Sequence, residues 1–222
     1  MSSVKLITYT PEPEKIVAIA SRLCYSKLST NQIINNISSD EIKKQIRLLN
    51  KLKHESPFEH PSFTFSISNI SRACMAQLTR HRIASFSVKS QRYVNEKNFT
   101  YVTPPKIKNN EKYKKIMDEI ANSYRKLKKL GLPNEDARFV LPNACTTQMI
   151  MTMNARSLKN FFTLRCCYRA QWEIRDVANK MLKLCKNVAP ILFEDWGPEC
   201  LRGHCNEGKL AAKCPMKNKL NK

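Results

Sequence analysis

Apolar and polar positions change rhythm several times along the chain, and each rhythm predicts an element. Residues 4–10, Val-Lys-Leu-Ile-Thr-Tyr-Thr, alternate and are rich in β-formers, which predicts a strand. Pro11 and Pro13 then open a helix to about Tyr25, with Ile16, Ala20 and Leu23 on one face. Ser39 reads as the N-cap of a second helix. Asp40 and Glu41 fall in its first turn, and Ile42, Ile46, Leu49 and Leu52 follow at helical spacing. Strict alternation returns over 62–68, Ser-Phe-Thr-Phe-Ser-Ile-Ser, the pattern of a half-buried strand. Residues 71–82 read as helical, with Ala73, Met75, Ala76 and Leu78 available for packing and Gln77, Arg80 and His81 sharing a face.

The second half is more helical. Residues 93–103 hold β-formers and break at Pro104-Pro105. A Lys-rich amphipathic helix over 111–130 puts Tyr113, Ile116, Ile120, Tyr124 and Leu127 inside, and Gly131 and Pro133 stop it. A short helix from Asn134 carries Arg138. Residues 145–153 read equally as a strand or as the way into a helix. Leu158, Phe161, Phe162 and Leu164 mark a helix. Residues 170–185 form another, with Trp172, Ile174, Val177, Met181 and Leu184 inside, and Pro190 ends it. The fold class expected is mixed α/β, with helices around a small sheet of three or four strands.

The length of 222 residues suits one large domain or two small ones, here a main unit over 1–196 and a Cys/Lys-rich tail over 197–222. Lys and Arg number 39 against 18 Asp and Glu, a net charge of +21. That field attracts nucleotides, polyphosphates, nucleic acid or membrane surfaces. Many of the lysines sit opposite an apolar helix face, so charge alone does not choose among these partners. No nucleic-acid-binding motif accompanies it. No apolar run reaches the roughly 18 residues of a spanning helix, and the N-terminus has no signal pattern, so a cytoplasmic protein with its nine cysteines reduced is expected. Four glycines leave no room for a Gly-rich dinucleotide fingerprint, which excludes a Rossmann crossover.

Candidate chemistry concentrates in Arg80-His81-Arg82-Ile83-Ala84-Ser85-Phe86-Ser87-Val88-Lys89-Ser90-Gln91-Arg92-Tyr93, where no acid interrupts four basic side chains. Crowded like charges repel, so the run makes sense around an anion that Arg forks and Ser hydroxyls cradle. Asn154-Ala155-Arg156-Ser157-Leu158-Lys159-Asn160 places Arg156, Asn160 and, further on, Arg165 toward one side of a helix. Asn amides both donate and accept at a heterocycle edge. The turn His54-Glu55-Ser56-Pro57-Phe58-Glu59-His60-Pro61 fits no zinc spacing. Cys166 and Cys167 beside Arg165 are candidate low-pKa thiols, against the commoner packing role. In the tail, Cys200, His204, Cys205 and Cys214 offer zinc donors at non-standard spacing, against the default of a mobile basic tail.

Arg80-His81-Arg82 followed seven residues later by Ser90 resembles the signature of the flavin-dependent thymidylate synthases, the ThyX family. Ala137-Arg138-Phe139-Val140-Leu141-Pro142, Asn154-Ala155-Arg156-Ser157-Leu158, Ala170-Gln171-Trp172-Glu173-Ile174-Arg175 and the His54–His60 turn are similar to segments of that family, in its order, over residues 4–196. The resemblance implies a homotetramer with active sites between subunits. It also implies FAD reduced by NADPH, a one-carbon unit from methylenetetrahydrofolate, and conversion of dUMP to dTMP. It implies FAD contacts at Ser56, Arg80, His81, Arg82, Val88, Asn154, Ala155, Arg156 and Asn160. For dUMP it implies Gln77, Arg80, Ser90, Gln91, Arg92, Arg138 and Arg165, with Arg165 activating the uracil ring and Ser90 binding by its hydroxyl. His54 and Glu59 would lie near flavin or folate, and no metal is implied. The chain departs from the family pattern at Val88, where many members carry a polar or acidic residue, and at Arg169, where some carry His.

Overall fold

The alternation over 62–68 turns Phe63, Phe65 and Ile67 to one side, and that side is the core. The computed structural model describes residues 2–203, 205–212 and 214–216. Within them, strands β1 (Ser3–Tyr9), β2 (Ser62–Ser71), β3 (Ser85–Val88) and β4 (Thr146–Asn154) form one antiparallel sheet in the order β1-β2-β4-β3. The helices are α1 (Pro13–Leu23), α2 (Thr30–Asn36), α3 (Ser39–Leu52), α4 (Arg72–Leu78), α5 (Glu111–Lys129), α6 (Asn134–Ala137), α7 (Ala155–Arg165) and α8 (Trp172–Val188). The mixed α/β class expected from the sequence is the one observed. No helix among the described residues is long and apolar enough to cross a membrane.

Phe63, Phe65 and Ile67 of β2 lie opposite Met153, Met151 and Met149 of β4, and all six are buried. Burying each such side chain contributes roughly 1.5–3 kcal/mol. After Ile67 the register breaks. Asn69 adopts φ 56°, and the bulge turns both Ile70 and Ser71 inward. The opposite face of the sheet is lined by hydroxyls, with the Thr64 and Thr152 side chains 2.9 Å apart across the strands. Helices α4, α7 and α8 cover the apolar face, and α1 packs on α3 beside it. Edge-to-face rings run from the sheet outward: Phe63 to Phe193, Phe193 to Phe162, Phe162 to Phe161, with centroids 5.5–5.8 Å apart.

Several boundaries differ from the sequence reading, each for a local reason. Ser38, not Ser39, caps α3: its Oγ accepts from Glu41 N–H while the Glu41 carboxylate accepts from Ser38 N–H. The same reciprocal box, Ser29 with Gln32, starts α2, a helix the periodicity did not reveal. The buried face of α1 is Pro13, Val17, Ala18 and Ser21, a step round from Ile16, Ala20 and Leu23, because Ser21 meets Gln45 of α3 through a 2.7 Å hydrogen bond. Leu52 of α3 and Ile116 of α5 are exposed. The basic stretch, not 93–103, supplies β3; the later segment forms only a bridge from Tyr101 to Cys145. Residues 145–153 resolve as strand β4. Helix α4 buries Cys74 and Leu78 and stops there, so Gln77, Arg80 and His81 do not share a helical face. Helix α5 closes as read: Gly131 takes φ 85°, and its N–H and that of Leu132 bond Lys128 and Leu127 carbonyls.

The junction of β2 with α4 is pinned from α8. Ser71 Oγ caps α4 by accepting from Cys74 N–H at 3.0 Å. The buried Glu173 carboxylate accepts from Ser71 N–H at 2.7 Å and from Ser71 Oγ–H at 2.5 Å. Gln171 caps α8 by accepting from Glu173 and Ile174 N–H, which holds Glu173 in place. Replacing Glu173 by Ala strips a buried donor pair of its acceptor. The expected loss is roughly 3 kcal/mol, seen as a lower melting temperature, with Glu173→Gln losing about half as much. Equal stability of E173A and wild type would show that the carboxylate is not holding the junction.

Candidate active site

Because α4 ends at Leu78, the chain leaves the helix at Thr79 and delivers Arg80, His81 and Arg82 into a cleft of about 2000 Å³. Helix α7 forms one wall with Arg156, Asn160 and Arg165. The end of α3, the 3-10 turn Ser56–Glu59 and residues 194–202 complete it.

His81 is the hinge of the arrangement. Its ring stands edge-on to Phe161 with centroids 4.9 Å apart, so it ends the row of aromatic rings that starts in the sheet. Its Nε2 accepts a hydrogen bond from Arg165 Nε at 3.0 Å. Burial, then the charges of Arg165 and Arg80, push its pKa down to about 4, so the imidazole is neutral with its proton on Nδ1. Burial and the Arg80 charge also press the Arg165 pKa downward, yet a guanidinium stays charged. Arg165 lines the cleft, and Nε is the nitrogen that bonds His81.

Arg156 is clamped: Nε bonds Glu55 at 3.2 Å and Nη1 bonds Glu59. The pair of carboxylates raises its pKa. Asn154 caps α7, its Oδ1 accepting from Ser157 N–H at 2.8 Å, and Ala155 is fully buried with its N–H on Pro61 carbonyl. Both residues therefore build the helix start and do not line the cleft, nor do the exposed Ser56 and His54 beside it. Arg169 lines the cleft and meets Glu207 at 3.6 Å.

The remaining implied residues gather elsewhere. Val88 ends β3 opposite Met149. In the turn beyond, Ser90 Oγ accepts from Arg92 N–H, and the buried Gln91 donates to Cys145 Sγ at 3.4 Å. Arg92 Nε bonds the Glu135 carboxylate at 2.7 Å, and Arg138 Nε bonds the Glu135 carbonyl at 3.1 Å. Gln77 is half-buried on α4, its amide donating to Ala73 carbonyl at 3.4 Å. Within one chain the structure thus joins Arg80, His81 and Arg165 at the cleft, and Arg92 and Arg138 through Glu135, while Gln77, Val88 and Gln91 contact Ala73, Met149 and Cys145.

The sequence reading missed three parts of the cleft. Lys159 is buried in its wall; its place three residues before Phe162 and four after Ala155, on the apolar face of α7, was the available signal. Trp196 and Arg202 come from the tail side, where Arg202 lies 4.1 Å over the Trp196 ring and bonds Thr163 Oγ1 at 2.9 Å. No spacing pattern announces that return. Burial raises the Cys166 thiol to about 12, which removes it as a thiolate nucleophile. Among the described residues no three of His, Cys, Asp and Glu form a metal-holding group; His204 of the tail lies outside them.

This basic cleft without a Gly-rich phosphate loop defines an anion-binding α/β protein outside the Rossmann class. The family model described as thymidylate synthase complementing protein matches residues 5–191. Flavin-dependent thymidylate synthases from Geobacter sulfurreducens and Clostridium tetani are 48% and 45% identical to it, over 93% and 94% of this chain and 92% of each relative. One from Pyrococcus abyssi is 42% identical over 95% of this chain and 91% of its own. The chain belongs to the flavin-dependent thymidylate synthase family.

The half-buried imidazole gives a pH signature. The unfolded chain binds a proton near the ordinary value of 6.5, whereas the folded chain does so only near 4. Between those values the unfolded state holds more protons, so stability is complete above 6.5 and is lost as pH falls toward 4. His81→Gln keeps an acceptor without the titration. Its melting temperature should fall less than that of wild type across this window, and parallel curves would count against a neutral His81.

Proposed function

We propose that this chain makes dTMP from dUMP, with methylenetetrahydrofolate as carbon donor and FAD, reduced by NADPH, as hydride source. The observation that carries the reading is Arg165 held through Nε by neutral His81 beside Arg80, in a chain of this family. The donor set suits FAD. Arg80, Arg82, Lys51 and Lys53 offer charge to a diphosphate, while Asn160 and the Nδ1–H of His81 offer neutral hydrogen bonds to a heteroaromatic edge. Arg156, fixed by Glu55 and Glu59, would take its place at the rim. Bound there, the flavin supplies the hydride chemistry.

The protein's own part is placement and electrostatics. Arg165 would meet the uracil ring with its two free nitrogens and stabilise the anion left when N3 loses its proton. His81 cannot compete for that proton, since it stays neutral. Arg80 would add a second cation to the nucleotide. Ser90, Arg92 and Arg138 are linked to one another or through Glu135 and are not among the residues lining this cleft, which supports a site completed by a neighbouring copy in a homotetramer. In that reading Glu135 holds Arg92 by its carboxylate and Arg138 by its carbonyl until the partner's nucleotide arrives.

The test is dTMP formation with FAD, NADPH and methylenetetrahydrofolate each omitted in turn; every omission should abolish product. Arg165→Ala should lower kcat by roughly 10²–10³ while the protein still binds FAD. Mixing R165A with R138A subunits should restore part of the activity if the two groups meet across an interface. Full activity of R165A would remove it from the reaction, and no recovery in mixed oligomers would remove the shared site.

A further inference from the structure

Lys159 is a buried amine that the reaction as described leaves unused. It projects from α7 just before Asn160 and is 1% exposed. Its Nζ donates to Asn50 Oδ1 at 2.7 Å, lies 2.9 Å from the centre of the Phe58 ring and 4.9 Å from that of Trp196. The same side chain forms part of the cleft wall. One amide oxygen and two ring faces are thin replacement for the water that an ammonium loses, although rings do favour a cation.

The charges around it do not make up the difference. From beside the 3-10 turn comes Glu55, already bonded to Arg156, and Glu59 is bonded to the same guanidinium. From the tail side comes Arg202, a like charge over Trp196, with Asp195 and with Glu194 paired to Arg47. Helix α3 contributes neutral Asn50, with Lys51 and Lys53 along the same cleft. Burial accordingly drives the Lys159 pKa down to about 6, Glu55 drawing it up and Arg202 pressing it further down. Near neutral pH the group is mostly an amine.

We propose that Lys159 is a proton-coupled anion sensor of the cofactor cleft: held between Asn50, Phe58 and Trp196 with no carboxylate of its own, it takes up a proton when an anionic dinucleotide enters. The inference rests on the reading that FAD occupies this cleft. The bound diphosphate brings negative charge into a low-dielectric wall, which favours the ammonium over the amine. The proton comes from buffer, no covalent bond changes, and binding becomes linked to pH. Arg at this position would carry charge at rest and forfeit the linkage.

The test is titration of the protein with FAD by calorimetry in buffers of different ionisation enthalpy, at about pH 8, where ordinary imidazoles are neutral. Wild type should take up a proton, approaching one per FAD, and Lys159→Met should take up none. Across the neutral range, wild-type affinity for FAD should weaken by up to ~tenfold per pH unit, while K159M should show a flat profile. Lys159→Gln serves if K159M does not fold. A wild-type proton count of zero, or the same count in wild type and variant, overturns the inference and leaves the cofactor reading standing. Failure of wild type to bind FAD at all overturns both.

Discussion

A guanidinium acts in a defined direction only when something holds it from behind. Here the holder is one neutral imidazole, His81, accepting from the inner nitrogen of Arg165. The bond works because the ring resists protonation, and it does so because Phe161 shields it partly from water while Arg165 and Arg80 stand beside it. The aromatic rings that bury His81 reach back through Phe162 and Phe193 to Phe63 at the centre of the sheet. Each such pair contributes about 0.5–1.5 kcal/mol beyond its area. The reactive geometry is therefore continuous with the core.

The segment Gln171-Trp172-Glu173-Ile174-Arg175 illustrates how support and chemistry divide. It is one of the segments that resemble the family, and no ligand contact was expected of it. In the structure its polar residues are braces: Gln171 caps a helix, Glu173 anchors Ser71, and Arg175 bonds the Tyr168 carbonyl at 2.9 Å. Arg80 and His81 hang from the short helix whose capping Ser71 is anchored by Glu173, so a brace at the far end of that helix sets where two arginine-rich segments meet. Asn154 and Ala155 do the same for α7.

Much of the fold was legible because alternation and helical spacing are direct images of burial. β2, α5, α7 and α8 could be read from the spacing of their apolar and aromatic positions alone. What escaped was decided by contacts between distant segments. The face of α1 turns on a hydrogen bond to α3, and β3 is a strand only because β4 pairs with it. The cluster at Arg80, His81, Arg156, Asn160 and Arg165 was legible as residue types that make sense together only around an anion. Its partners Glu55, Lys159, Trp196 and Arg202 were not, because an ordinary charge or ring carries no sign of which cavity it will line.

The pairing of β2 with β4 carries one more consequence. Ser71 lies at one end of that antiparallel pair and Asn154 at the other, and each strand passes straight into a helix. The two helices are launched from opposite ends and run back toward each other, so their carbonyl-rich termini, which welcome cations, converge. The separation between Arg80 and Arg165 is consequently a count of residues. Loops such as that between α5 and α6 are free to lengthen over evolutionary time. The runs from Ser71 to Arg80 and from Asn154 to Arg165 are not, since each added helical residue would rotate the arginine about 100° away from its counterpart.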